Sequence, residues 1–208
     1  MFFYRVLAIL LVALSYNIDA QSSSLRIPQA RSSFDVSHDY HKTLLTKALT
    51  VAANGREVPK LISTMQMSQG RAAQELMKNE LIDVYWLGTD KLLEQNLRAI
   101  KVPTTRGLIG FRKFIIHKDS VATFDNITAL AQLKKLVACQ GTHWPDTKIL
   151  QAANLAVTTT PIYEDMFKML AAKRCDYFPR GYHDSDKELI LRQRLYPELT
   201  SYHGILLH

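Results

Sequence analysis

Residues 137–153, VACQGTHWPDTKILQAA, carry the reading that decides the fold. A short apolar run, Val137 to Cys139, is followed by a polar corner with one glycine. A proline-started amphipathic stretch, Pro145 to Ala153, comes next. Pro at the first helical position and Asp just inside it are helix-start signals. Ala156 to Thr159 then reads as another strand. The pattern is strand, corner, helix, strand: a βαβ unit, which implies parallel strands. Downstream, Glu164 to Ala172 reads as a helix with Phe167, Leu170 and Ala171 inward, Asp176 to Phe178 as a last short strand, and Ser185 onward as helical. Upstream, Asn126 is expected to cap a helix carrying Ile127, Leu130, Leu133 and Leu136.

The same alternation occurs earlier in the chain. Leu25 to Pro28 and Pro59 to Met65 read as strands. Tyr40, Leu44, Ala48 and Val51 fall at helical spacing within Ser37 to Asn54, closed by Gly55. A helix over Gln69 to Asn79 should turn Ala72, Ala73, Leu76 and Met77 inward, and Leu81 to Leu87 is long enough for a buried strand. Between the two alternating segments, Leu108 to Ile116 reads as one long apolar strand. The expected fold class is therefore α/β with two lobes, each a βαβ-based sheet flanked by helices.

At the start of the chain, Arg5, the apolar run Val6 to Leu14 and the polar exit SYNIDA form a secretory signal peptide by pattern. Cleavage is expected before Gln21, which puts Ile18 and Ala20 at the −3 and −1 positions. The apolar run is shorter than the about 20 residues a bilayer span needs. The expected location is periplasmic. An uncleaved anchor or a buried N-terminal helix are the other readings of this segment.

The composition, 47% hydrophobic and 22% charged, is that of a folded globular chain. The formal charge of +7 is scattered rather than gathered into a stripe with aromatic platforms, which argues against a nucleic-acid surface. Cys139 and Cys175 fall in short apolar runs read as neighbouring strands. They can pair in an oxidising compartment, although two buried free thiols is the preferred reading. No CxxC or mixed Cys/His spacing suggests a metal, and nothing in the pattern calls for a cofactor. Of the seven histidines, His143, His183 and His203 are conceivable bases or ligands. No GxSxG or HExxH spacing accompanies them, so no catalytic residue is assigned and the chain is read as a non-enzyme. Asn126-Ile127-Thr128 is a glycosylation sequon by pattern, outweighed by the capping role of Asn126.

In open α/β sheets ligands sit outside the carboxyl ends of strands, where helix N-termini point free N–H groups. Three corners qualify. One is Gly88-Thr89-Asp90. A second is the corner after Val137–Cys139, where Gly141 permits close backbone approach and Gln140 and Thr142 offer an amide and a hydroxyl. There Trp144 offers a stacking wall, Asp146 a partner for an ammonium, and the helix a positive end for an anion. The third, after Phe178, brings Arg180, which either clamps an anion bidentately or pairs with a nearby carboxylate. Each of these residues also has an ordinary structural role available to it.

Three stretches carry a resemblance: ELMKNELIDVYWLGTD (75–90), VPTTRGLIGFRKFIIHKD (102–119), and the run from ACQGTHWPDTKIL (138–150) through MLAAKRCDYFPRG (169–181). In this order they resemble the periplasmic type II solute-binding proteins, most closely the amino-acid group serving ABC transporters. GLIGFRKFII, QGTHWPDT and DYFPRG are the most specific pieces. The resemblance implies lobe one over 21–107, lobe two over 108–200, and a small polar ligand, amino-acid-like, held between them. By position it places Arg71 and the Gly88-Thr89-Asp90 corner at the cleft from lobe one, and Gln140, Gly141, Thr142 and Arg180 from lobe two; Trp86, Trp144 and Asp146 complete the set of ligand-binding candidates. The implied partner is the membrane permease of an ABC transporter, or a membrane sensor if the module signals instead. Family members continue further, so 201–208 is expected to begin a return crossover that leaves lobe one incomplete at the C-terminus. Reduced stability and weak binding, unless the chain dimerises, are the expected consequence.

Overall fold

The computed structural model describes residues 24–208; the signal-peptide reading lies outside them. Two sheets organise the chain. The first pairs β1 (Ser24–Gln29) and β2 (Lys60–Gln66) in parallel, with Leu25 opposite Leu61. The second has five strands in the order β5-β4-β6-β3-β7, formed by β3 (Arg112–His117), β4 (Val137–Gly141), β5 (Ala156–Thr160), β6 (Tyr177–Gly181) and β7 (Leu199–Leu207). Strands β5, β4 and β6 are mutually parallel, and β3 runs antiparallel to both β6 and β7.

Lobe two is built on this second sheet, which is buried on both faces. Period-2 alternation sends Phe114 and Ile116 to one face and Ile115 to the other, so the strand reads as an unbroken apolar run. On the first face, Phe114, Ile116, Ala138 and Tyr177 meet Phe124 of α4 (Val121–Asp125), Leu133 of α5 (Leu130–Leu133) and Leu150 of α6 (Pro145–Ala152). On the second, Ile115, Cys139 and Phe178 meet Tyr163, Met166, Phe167 and Leu170 of α7 (Tyr163–Ala171) and Leu189 of α8 (Ser185–Arg192). A disulfide joins Cys139 to Cys175 with Cα atoms 5.6 Å apart. This corrects the free-thiol reading, and also the placement of Cys175, which lies in the turn before β6 rather than in a strand.

Lobe one contains α1 (Val36–Ala53), α2 (Gln69–Lys78) and α3 (Lys91–Asn96). Each starts on a side-chain cap: Asp35, Ser68 and Asp90 accept the N–H of His38, Arg71 and Leu93. Asn54 and Gly55, both at positive φ, end α1.

Several expectations are corrected. Residues 81–87 form no strand: the Asp83 and Val84 N–H groups reach the Arg26 carbonyl, but the Arg26 N–H goes to the Asp83 carboxylate at 2.7 Å instead of a backbone carbonyl. Leu108–Gly110 is a 3₁₀ turn after Gly107 at φ 83, so the strand begins only at Arg112. Asn126 ends α4 instead of starting a helix, and the next helix, α5, runs only over Leu130–Leu133. In α1, Val51 is 80% exposed and Tyr40 is also outside the core, while Ala53 is buried. Met77 of α2 likewise faces out. Residues 201–207 lie in β7, opposite β3, with Ser201 against Ile115. Among the described residues no helix is long and apolar enough to cross a membrane.

Candidate functional site

The two lobes meet at the carboxyl ends of their strands. Gly70, at the start of α2, lies under His143: a Cβ on it would fall 2.6 Å from the imidazole. Gly88 packs on Pro145, and Lys148 Nζ reaches Asp90 at 3.1 Å. From the loop after β1, the Arg31 guanidinium crosses to lobe two and stands 4.1 Å from the centroid of Tyr163 and 5.8 Å from that of Trp144. Phe34 receives Arg192 of α8 at 5.3 Å.

The lobe-two corner is brought together as the sequence suggests, but with different local roles. Gln140 is fully buried, and its Oε1 accepts the Gly141 N–H at 3.3 Å. Among the described residues its Nε2 has no hydrogen-bond partner, a costly state for a buried amide. Gly141 does permit a close approach, but by the Trp144 ring, 2.5 Å from where its Cβ would stand. Thr142 is exposed, with its N–H on the Thr160 carbonyl at 3.1 Å. The Thr147 hydroxyl donates to the Gly141 carbonyl at 2.7 Å and fixes the turn to α6.

Arg180 takes the structural alternative. Its Nε and one terminal nitrogen donate to the two oxygens of Glu188 at 2.6 and 2.5 Å, and both partners are buried. The Tyr163 hydroxyl donates to the same carboxylate at 2.5 Å. Burial opposes the charge on Arg180, but Glu188 outweighs it and holds the guanidinium well above its ordinary pKa. Burial, and then the Glu188 charge, push the Tyr163 hydroxyl up. Trp144 lies 5.1 Å over the Arg180 guanidinium. Asp146 is taken by Arg112 at 2.7 Å, so the ammonium partner expected there already has a cation.

On the lobe-one side, Arg71 is exposed beside Gly70, with Glu75 at 3.8 Å as its nearest acid. The Thr89 hydroxyl donates to Glu94 at 3.1 Å and its side chain faces solvent. Trp86 turns toward α1, stacked on His41 with centroids 5.4 Å apart and 6° between planes. It is therefore not part of the Trp144 cluster.

Sequence reasoning missed Arg31, Asp35, Tyr163 and Glu188. Asp35 accepts Arg31 Nε at 2.7 Å and the Arg31 N–H at 3.1 Å while capping α1. Burial works against the Asp35 charge, but Arg31 overrides it and brings the carboxyl down to about 2. The signal was present as Arg and Asp four apart ahead of a helix. Glu188, by contrast, reaches Arg180 only through tertiary packing. Among the described residues no three His, Cys, Asp or Glu side chains gather as metal ligands.

No family model matches the chain, and no curated protein does. Solved structures do. An ancestral arginine-binding protein bound to arginine superposes with a TM-score of 0.62 at 11% identity, covering 89% of this chain and 81% of that one. The chain has the type II periplasmic binding fold. A histidine kinase sensor domain with similarity to periplasmic binding proteins gives a TM-score of 0.61 at 12% identity, with 88% and 79% covered. A periplasmic binding protein of Salmonella typhimurium with high arginine specificity gives 0.58 at 11%, with 86% and 76% covered. The strand ends described above are where the two lobes of this fold face each other.

Proposed function

We propose that this chain binds a small polar solute of amino-acid type in the interlobe cleft and passes it unchanged to the permease of an ABC transporter. In this reading the protein is exported to the periplasm, residues 1–20 are removed, lobe one spans 21–107, and lobe two starts at 108 and includes β7. The observation that carries it is the juxtaposition of two strand-end corners across the cleft, Gly70-Arg71 against Gln140–Trp144, with the Gln140 amide nitrogen unpartnered. Arg180, Arg112 and Arg31 are each held by an acid of their own. A ligand carboxylate is therefore left Arg71, the Thr142 hydroxyl and the N-terminal end of α6. The likeness to amino-acid-binding proteins of the same fold supports the ligand class.

The test is a thermal-shift and calorimetric screen of residues 21–208 against the amino acids and other small polar solutes. A ligand at 100 times its Kd stabilises the native state by about 2.7 kcal/mol. Arg71→Ala should weaken that response. Gly70→Val, which wedges His143 away from α2, should remove it. Recovery of the solute unchanged by NMR checks that no reaction occurs. A cooperative melt with no response to any solute sinks the proposal.

The likeness to a sensor domain of the same fold favours a second reading, in which an occupied cleft signals to a membrane kinase. Stimulation of kinase autophosphorylation rather than of transporter ATPase activity by the loaded protein would select it.

A further inference from the structure

A pocket of about 600 Å³, open to solvent, lies against the connector between the lobes and shares no lining residue with the corners at 70–71, 88–90 and 140–144. Three separate parts of the chain wall it: the first turns of α1, the connector 102–108 that joins the lobes, and His183–Lys187 at the start of α8. A second void of about 350 Å³ continues along α1 and shares Val36, Tyr40, Leu44 and Lys187 with the first.

The walls are fixed. The Tyr40 hydroxyl donates to the Thr104 carbonyl at 2.6 Å, and His41 Nε2 lies 3.2 Å from the Thr104 hydroxyl. Both bonds tie the connector to α1. Arg106 and Gly107 are both left-handed, at φ 52 and φ 83, a conformation that only the glycine adopts without strain.

The lining has two chemistries. Val36, Leu44 and Pro103 give an apolar floor, and the Tyr40 ring remains partly open to solvent. Arg106, Lys187 and Lys47 stand around the two voids, and among the described residues none of the three has a carboxylate within ion-pair distance. Two acids also line the voids. Asp184 is buried with His183 Nε2 at 3.2 Å, and Asp39 belongs to the smaller void. The larger cavity thus presents two cations, Arg106 and Lys187, and one buried carboxylate, Asp184, beside apolar side chains. Its volume falls in the range of small-molecule sites.

We propose that this connector-side pocket is a second ligand site, separate from the interlobe cleft, for a small organic anion with an apolar body, of the aryl or branched-chain carboxylate class. The apolar body rests on Val36, Leu44 and Pro103, and the carboxylate meets Arg106 and Lys187. A ligand there touches both lobes and their connector, so it binds differently to different degrees of lobe closure and shifts that equilibrium.

The test is calorimetric titration of the purified protein with 1-naphthoate, alongside the uncharged 1-naphthamide. The expected result is saturable 1-naphthoate binding, weakened at least about tenfold in the Arg106→Ala/Lys187→Ala double variant, as loss of charge-assisted contacts requires. The amide should bind correspondingly more weakly, and Leu44→Trp, which fills the floor, should abolish binding with the thermal melt retained. Gly70→Val, which disables the cleft, should leave naphthoate binding unchanged, so that failure here is distinct from failure of amino-acid binding. No saturable binding, equal affinity for acid and amide, an unaffected double variant, or loss in Gly70→Val alone would each overturn the proposal. The double variant changes only side chains at the cavity mouth, and its result stands whether or not Leu44→Trp folds.

Discussion

Lobe two has five strands, two buried clusters on opposite faces of its sheet and a disulfide. Among the described residues lobe one has two strands and a single small cluster formed by Met67, Ala72 and Ile82, with Leu76 and Tyr85 beside it. Apolar burial scales with enclosed area, so the cooperative stability of this molecule resides in lobe two. Lobe one is held in large part by what it lays on lobe two: Arg31 on Tyr163, Phe34 on Arg192 and Gly70 on His143. The difference teaches that the cleft is also a structural seam. What closes the lobes also orders the smaller one.

The sharpest way to break this contrast is Glu188→Ala. It strands the buried Arg180 guanidinium and the Tyr163 hydroxyl together, and removing one partner of a buried pair costs up to about 5 kcal/mol. Chemical denaturation should show global loss, because α8 belongs to the stable lobe. Next comes Cys139→Ser with Cys175→Ser. The bond closes a loop of sequence separation 36, for which chain entropy gives roughly 4 kcal/mol. The thermal midpoint should fall accordingly, and dithiothreitol should reproduce the fall in the unmodified protein.

Ile82→Ala acts on the other side of the contrast. A fully buried isoleucine lost from a small core costs about 2–3 kcal/mol. Hydrogen exchange should show β1 and β2 losing protection while β4 and β6 keep theirs. Equal loss in all four strands would mean the lobes unfold as one unit and would erase the distinction. The smallest effect is on pH. The Asp35 carboxyl sits at about 2 in the folded chain against an ordinary 3.8. A depressed carboxylate contributes stability that is full above about pH 4 and is lost as pH falls toward 2, in total about 2 kcal/mol. Asp35→Asn should flatten the acid limb of the stability curve over that window.

Lobe two was legible in the sequence because buried parallel strands read as short apolar runs and its helices keep one face: Phe167 and Leu170 mark the core side of α7. Lobe one was less so. In α1, leucines at 44, 45 and 49 and Val51 spread apolar residues around the helix, and spacing alone did not separate the buried side from the open one. The strand expected at 81–87 is not formed, and there the Asp83 side chain takes the Arg26 N–H in place of a backbone carbonyl. The strand–glycine–helix turn at 140–145 was legible because it is a local signal, and the structure does form a strand, corner and helix there. Glu188 and Tyr163 were not, since the contacts that give Arg180 its role form only when α7 and α8 pack on the same face of the sheet. The pairing of Cys139 with Cys175 likewise depended on a turn that comes beside β4 only in three dimensions.

The Arg31 guanidinium against Tyr163, anchored by Asp35, has a further consequence. Chemically it is a cationic occupant on a tether a few residues long. A free guanidinium or ammonium group approaching the same aromatic surface has to outcompete a rival that is always present, at an effective concentration on the order of millimolar. An anion meets no such rival. Under the proposed solute-binding function, such a built-in competitor would disfavour cationic groups beside Tyr163, and shortening Arg31 is expected to relax that preference without altering a residue of lobe two.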